Sequence, residues 1–139
     1  MFGFILSKNS EIALAGLVYL AKHHSDSPAR GKEVALHLQK EEQYVKSILR
    51  ILAKNEILRV VKGKNGGYLF STQAQYLTVA DVVRIVDRYL PTSDCIFRKK
   101  ICSRSRGCPM QCQWRRLREN GQRLIEGQTI RDLVLWCEM

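Results

Sequence analysis

A mainly α-helical fold carrying one small β-hairpin is predicted from three observations. Residues 31–56 read as a short amphipathic helix, a polar break and a longer amphipathic helix. ILRVV, KGKNGG and YLFS follow at once, two strand-like runs around a turn rich in lysine and glycine. The rest of the chain alternates helix-start signals with apolar residues at helical spacing, and a long basic segment precedes its apolar close. Together they give a winged helix-turn-helix domain followed by a long C-terminal dimerisation helix.

The elements follow in order. Ser7, Asn9 and Ser10 are candidate N-caps for a first helix that runs to about His23 and is apolar almost all the way round (IALAGLVYLA), as a helix buried on most sides must be. HSDSPAR is a loop by its Ser, Asp and Pro content. GKEVALHL places Val34, Ala35 and Leu38 on one face, and QKEE breaks the pattern. The longer helix then puts Tyr44, Ile48, Ile51 and Leu52 on its inner face. ILRVV carries the alternation of a strand. Thr78 and Asp81 form a capping box ahead of Val79, Val82, Val83 and Val86, and Pro91 stops that helix. QWRRLRENGQRLIEG spaces Trp114, Leu117, Leu124 and Ile125 at near-helical intervals, with Gly121 as its weak point. Thr129 and Asp132 make a second capping box before the apolar IRDLVLW. There is no internal repeat.

Charge indicates the partner. The 139 residues carry a net charge of +10, which favours a polyanion, nucleic acid before an anionic membrane surface. Lys46, Arg50 and Lys54, four residues apart, form a basic stripe on the longer helix. Arg59 lies on the first strand, and Lys62 and Lys64 mark the hairpin tip. From Lys46 to Lys64 six basic residues stand against Glu56 alone. A basic hairpin after such a helix pair is the wing of a DNA-binding domain, whose Gly66 and Gly67 let backbone approach phosphate closely, with Tyr68 beside them as a further candidate DNA contact. Double-stranded DNA is therefore the expected partner.

Other classes find little support. No paired carboxylates, nucleophile elbow or phosphate-cradling glycine loop points to an enzyme or a small-molecule substrate. The apolar run Ile12–Ala21 is ten residues long, far short of the ~20 that span a bilayer. Five cysteines, an odd number, cannot all enter a closed disulfide framework, so a reduced cytoplasm fits best. His23, His24 and His37 read as structural or solvated.

Four of those cysteines fall between Cys95 and Cys112, spaced C-x6-C-x5-C-x3-C, among Arg98, Lys99, Lys100, Arg104 and Arg106 and with no acid between them. Thiolates select zinc, copper or iron–sulfur clusters, and surrounding positive charge lowers thiol pKa and offsets the charge of a thiolate-bound cluster. A metal or iron–sulfur site follows. Zinc held by Cys95, Cys102, Cys108 and Cys112 in a nucleic-acid-binding module is the alternative, although structural zinc sites favour C-x2-C or C-x4-C pairs and none is present. Cys137, in the apolar close, reads as a buried small hydrophobe.

The motifs LSKNSEIALAGLVYLA, YVKSILRILAKNEIL, KGKNGGY and LTVADVVRIVD, with Cys95, Cys102 and Cys108 behind them, make the chain resemble the IscR/NsrR (Rrf) family of bacterial winged-helix transcription regulators. The resemblance covers nearly the whole chain. It implies a homodimeric DNA-binding regulator, expected to act as a repressor, whose operator affinity is controlled by a [2Fe-2S] or [4Fe-4S] cluster on those three cysteines. The cluster would sense redox state, nitric oxide or iron–sulfur status. Lys62 stands where the family commonly has arginine, and Phe70 and Ser71 where leucine and alanine are usual. For the fourth ligand the family's pattern favours Glu11, reaching the cluster of the partner subunit; Cys112 competes as a softer donor tethered nearby. The division expected is 1–90 for the DNA-binding domain, 91–112 for the cysteine-rich cluster loop and 113–139 for the dimerisation helix and C-terminal segment.

Overall fold

The first helix, α1 (Lys8–His23), is the post on which the others pack, in a computed structural model that describes residues 6–88 and 109–137. Its Ile12, Ala13, Leu14, Leu17 and Leu20 are buried, so the all-round apolar run is spent on neighbours on several sides. Those neighbours are α2 (Gly31–Leu38), α3 (Glu42–Lys54), α4 (Val79–Asp87) and α6 (Ile130–Cys137). Ser7 caps α1, its Oγ accepting from the Ser10 N–H at 3.0 Å. The Asp87 carboxylate lies 2.7 Å from the hydroxyls of Ser7 and of the fully buried Ser10. A carboxylate at the positive end of a helix is favoured by its dipole, so the last residue of α4 is fastened to the first turn of α1.

Helices α2 and α3 form the helix-turn-helix, joined through Gln39 in a left-handed conformation (φ 53°). The core takes Val34 and Ala35 from α2 and Val45, Ile48, Leu49 and Leu52 from α3, while Tyr44 and Ile51 are half-buried. Burying one such leucine contributes about 2 kcal/mol. The polar QKEE stretch is shorter as a break than expected. Glu41 is the N-cap of α3, accepting from the N–H groups of Gln43 (2.9 Å) and Tyr44 (2.8 Å), and Glu42 is already helical.

Strands β1 (Leu58–Val61) and β2 (Gly67–Phe70) pair antiparallel, with Leu58 opposite Phe70 and Val61 opposite Gly67. The alternation expected of β1 does not hold as burial: Leu58 is buried, but Arg59, Val60 and Val61 are all exposed. Beyond Leu58 strand β1 lies outside the core, whereas β2 keeps Leu69 buried and packs the half-buried Tyr68 and Phe70 against the core. A short 3-10 turn, Thr72–Tyr76, leads to Thr78 and the capping box with Asp81 (3.1 and 2.9 Å).

Helix α5 (Gln111–Gly127) runs unbroken through a buried Gly121 and sets Ile125 into the same apolar core as α1–α4. Arg84 of α4 ties to Glu126 at 3.2 Å. The α5–α6 turn is stitched to the start of α4, with Val79 N–H donating to the Gln128 carbonyl and Ile130 N–H to that of Leu77, both at 2.9 Å. Thr129 and Asp132 cap α6 as expected, and the bonds from Thr129 hold the Asp132 carboxyl below its ordinary value. Cys137 departs from expectation: its side chain is exposed, because α6 turns Ile130 inward and leaves Leu135, Trp136 and Cys137 outside. Among the described residues no helix is long and apolar enough to cross a membrane.

Candidate nucleic-acid interface

The outer face of α3 is Gln43, Ser47, Arg50 and Lys54, all exposed and spaced four, three and four residues apart. The basic stripe expected there loses one member. Lys46 turns toward α2, where its stem covers Gly31 so closely that a Cβ on that glycine would lie 2.6 Å from Lys46 Cγ. Its ammonium pairs with Glu42 at 2.5 Å, and that hydrogen bond holds the Glu42 carboxyl below its ordinary value. Successive steps of four residues drift around a helix of 3.6 residues per turn, which is why Lys46 and Lys54 do not share a face. Gln43 and Ser47 escape a search for charge; the seven-residue interval between Gln43 and Arg50 is the signal that could have found them. The Ser47 hydroxyl donates to the Tyr44 carbonyl at 2.6 Å, leaving its oxygen to accept.

The wing presents Arg59 on β1 and Lys62 and Lys64 at the tip, all exposed. Gly63 has φ 109°, in the left-handed region that favours glycine, and a Cβ on Gly66 would collide with the Val61 carbonyl oxygen, so the turn requires both. Tyr68 is half-buried, and its N–H and C=O are both taken by Ala29, at 2.7 and 2.9 Å. Gly66, Gly67 and Tyr68 thus build the wing and fix it to the segment before α2. Among the described residues Arg50, Lys54, Arg59, Lys62 and Lys64 make no ion pair, whereas Lys46 and Arg84 do.

Cys95, Cys102 and Cys108 lie outside the described residues. Cys112 is in the first turn of α5, with its side chain exposed. Glu11 is half-exposed in the first turn of α1 and lines an open groove with Lys8, Ile12, Ala15, Leu38, Glu41 and Tyr44. Its groove therefore adjoins the N-cap of α3, and Tyr44 hydrogen-bonds to Asn9 one turn along. No three His, Cys, Asp or Glu side chains gather for a metal among the described residues. The three histidines surround Tyr19 instead. His37 stacks on its ring at 4.1 Å between centroids, and His24 Nε2 is 3.2 Å from its hydroxyl. Burial, with the charge of Glu33, raises the Tyr19 hydroxyl above its ordinary value.

A helix-turn-helix with an unpaired cationic outer face and a basic wing defines a winged-helix DNA-binding transcription regulator. Residues 6–135 match the Rrf2 family, described as iron-dependent transcriptional regulators, and the chain belongs to that family. It is similar to the HTH-type transcriptional regulator CymR of Bacillus subtilis, 20% identical over 133 residues (96% of this chain, 91% of the relative). To IscR of Yersinia pseudotuberculosis it is 25% identical over 129 residues (93% and 78%). Among solved structures, that of B. subtilis CymR, the global cysteine regulator, superposes with a TM-score of 0.74 at 20% identity, covering 94% of this chain and 96% of that one. T. potens IscR does so at 0.70 and 17%, covering 95% and 87%. Curated relatives named as transcription regulators place the chain outside the enzymes.

Proposed function

We propose that this regulator is a cytoplasmic homodimer that represses from an inverted-repeat operator, with its affinity set by an iron–sulfur cluster. The observation that carries the DNA half is the set of five exposed cations on α3 and the wing that have no carboxylate partner among the described residues. Such charges gain most from a polyanion, and counterion release from the duplex supplies the free energy. Gln43 and Arg50 lie where a helix in the major groove meets base edges, while Arg59, Lys62 and Lys64 suit phosphate.

For the cluster, the donor chemistry fits. Cys95, Cys102 and Cys108 would supply three thiolates from a segment with five cations and no acid, which suits an anionic core. Glu11, whose carboxylate has no partner among the described residues, would be the oxygen donor reaching the partner subunit's cluster. When bound, the cluster supplies iron that reacts with oxidants and nitric oxide. Occupation of the Glu11 groove bears directly on the start of α3, because Glu41 and Tyr44 form its wall. Residues 1–90 then read DNA, 91–112 hold the cluster and 113–139 pair the subunits.

The dimer seam follows from α5. Met110, Leu117 and Leu124 are exposed at seven-residue intervals, while Trp114, Gly121 and Ile125 face inward. A seven-residue apolar repeat on a free helix face is the pattern of a helix that pairs with another. Leu117→Glu combined with Leu124→Glu is expected to yield a folded monomer in sedimentation, and a variant that keeps the dimer mass removes α5 from the seam.

Anaerobically prepared protein tests the cluster. It is expected to be brown, and a colourless protein holding one zinc per chain would refute the reading. Glu11→Ala should change its visible circular dichroism and Cys112→Ala should not, the reverse pattern transferring the fourth ligand to Cys112.

A further inference from the structure

We propose that Arg30 is a positioning residue for the wing: its guanidinium splints the wing tip to the helix-turn-helix. The inference rests on the DNA-binding reading and adds a residue that neither charge pattern nor family resemblance singles out. Arg30 is the N-cap of α2, and its guanidinium donates through Nη2 to the main-chain carbonyl of Lys64, 34 residues away at the tip of the hairpin. Both ends of this link are informative.

The anchor is fixed on each side. Arg30 N–H donates to the Glu33 carboxylate at 3.3 Å, and the Arg30 carbonyl accepts from Glu33 and Val34 N–H at 3.0 and 3.1 Å. The preceding Ala29 is fully buried and bridged to Tyr68. A Cβ on Gly67 would collide with the Ala29 carbonyl, so the base of the wing lies flush against this segment. The far end, by contrast, has few bonds of its own. Gly66 N–H to the Gly63 carbonyl at 3.1 Å closes the turn, and Lys62, Gly63, Lys64 and Asn65 are exposed. An exposed two-stranded hairpin is marginal alone. A bond from an ionised donor is roughly twice as strong as a neutral one, and this one spans from the rigid base to the loose tip.

The arrangement gives Arg30 a role different from that of Lys62 and Lys64. Their side chains extend from the tip toward solvent, whereas the guanidinium holds the main chain that carries them. The wing is thereby held ready before DNA arrives, which lowers the ordering cost of binding.

Hydrogen exchange of the DNA-free, full-length protein tests this. In Arg30→Ala the wing-tip amides, Gly66 among them, are expected to exchange about tenfold faster while α3 keeps its protection, as loss of one charge-assisted bond predicts. Operator affinity should fall severalfold with the slope of log affinity against log salt unchanged, because every cation that meets phosphate is still present. Wing-tip exchange equal to wild type overturns the proposal, and a salt slope lowered by about 0.9 with exchange unchanged would make Arg30 a phosphate ligand instead. If the wild-type protein binds no duplex, the DNA-binding reading fails while the exchange result still decides the splint.

Discussion

Alanine at Cys95, Cys102 or Cys108 is expected to abolish the iron–sulfur cluster while leaving a folded dimer. Among the described residues the apolar core is Leu17, Leu20, Leu49, Leu52, Ile57, Val82, Val83 and their neighbours, drawn from α1–α4, the turn into β1 and the ends of α5 and α6, and it accounts for the expected folded dimer. Loss of one strong thiolate from a three-cysteine set removes a ligand that a half-exposed carboxylate cannot replace. Iron and sulfide analysis should therefore fall to background in each variant, with the far-ultraviolet circular dichroism and sedimentation of the wild type. Full iron and sulfide in any one of the three withdraws that cysteine from the ligand set.

Loss of Arg50 should have the second large effect. Arg50 is exposed near the middle of the outer face of α3 and free of carboxylates among the described residues, and an arginine reading a guanine edge is worth about 1–3 kcal/mol, roughly five- to 150-fold in affinity. Arg50→Ala should weaken the operator more than random duplex. Lys62→Ala with Lys64→Ala should instead weaken both and flatten the salt slope by about 0.9 for each phosphate that is no longer neutralised. Lys46→Ala should do little, because the Lys46 charge is already neutralised by Glu42. Were Lys46→Ala to cost as much as Arg50→Ala, the face assigned to DNA would be rotated by one residue.

Local chemistry was readable in the chain, and long-range packing much less so. Ser7, Thr78 and Thr129 announce helix starts because an N-cap is a one-turn event. KGKNGG announces the wing because its turn needs φ above zero at Gly63 and no Cβ at Gly66. What failed depends on partners distant in sequence. Lys46 is drawn inward by Gly31, fifteen positions earlier, and no charge pattern contains that contact. Val60 and Val61 suggest a buried strand, yet beyond Leu58 it is β2, through Leu69, and not β1 that packs inward. Cys137 belongs to an apolar run, yet only the inner side of α6 meets α1. Helix α5 combined two periods, one inward through Ile125 and one outward through Leu117 and Leu124, and the sequence alone could not separate them. Of the candidate site, the basic residues of α3 and the wing were legible as charge; the neutral Gln43 and the bracing Arg30 were not.

Cluster control of DNA binding is the central claim, and one titration reaches it. An inverted-repeat duplex, selected from a random library with the anaerobic protein, is titrated at fixed salt with one preparation before and after chelation of its iron, and fluorescence anisotropy is read at each step. The two isotherms are expected to separate by at least about tenfold in affinity, a coupling of about 1.4 kcal/mol and within the usual allosteric range, while sedimentation shows a dimer in both. Superimposed isotherms from preparations that differ in iron would contradict cluster control and leave a DNA-binding protein whose affinity is set by something else.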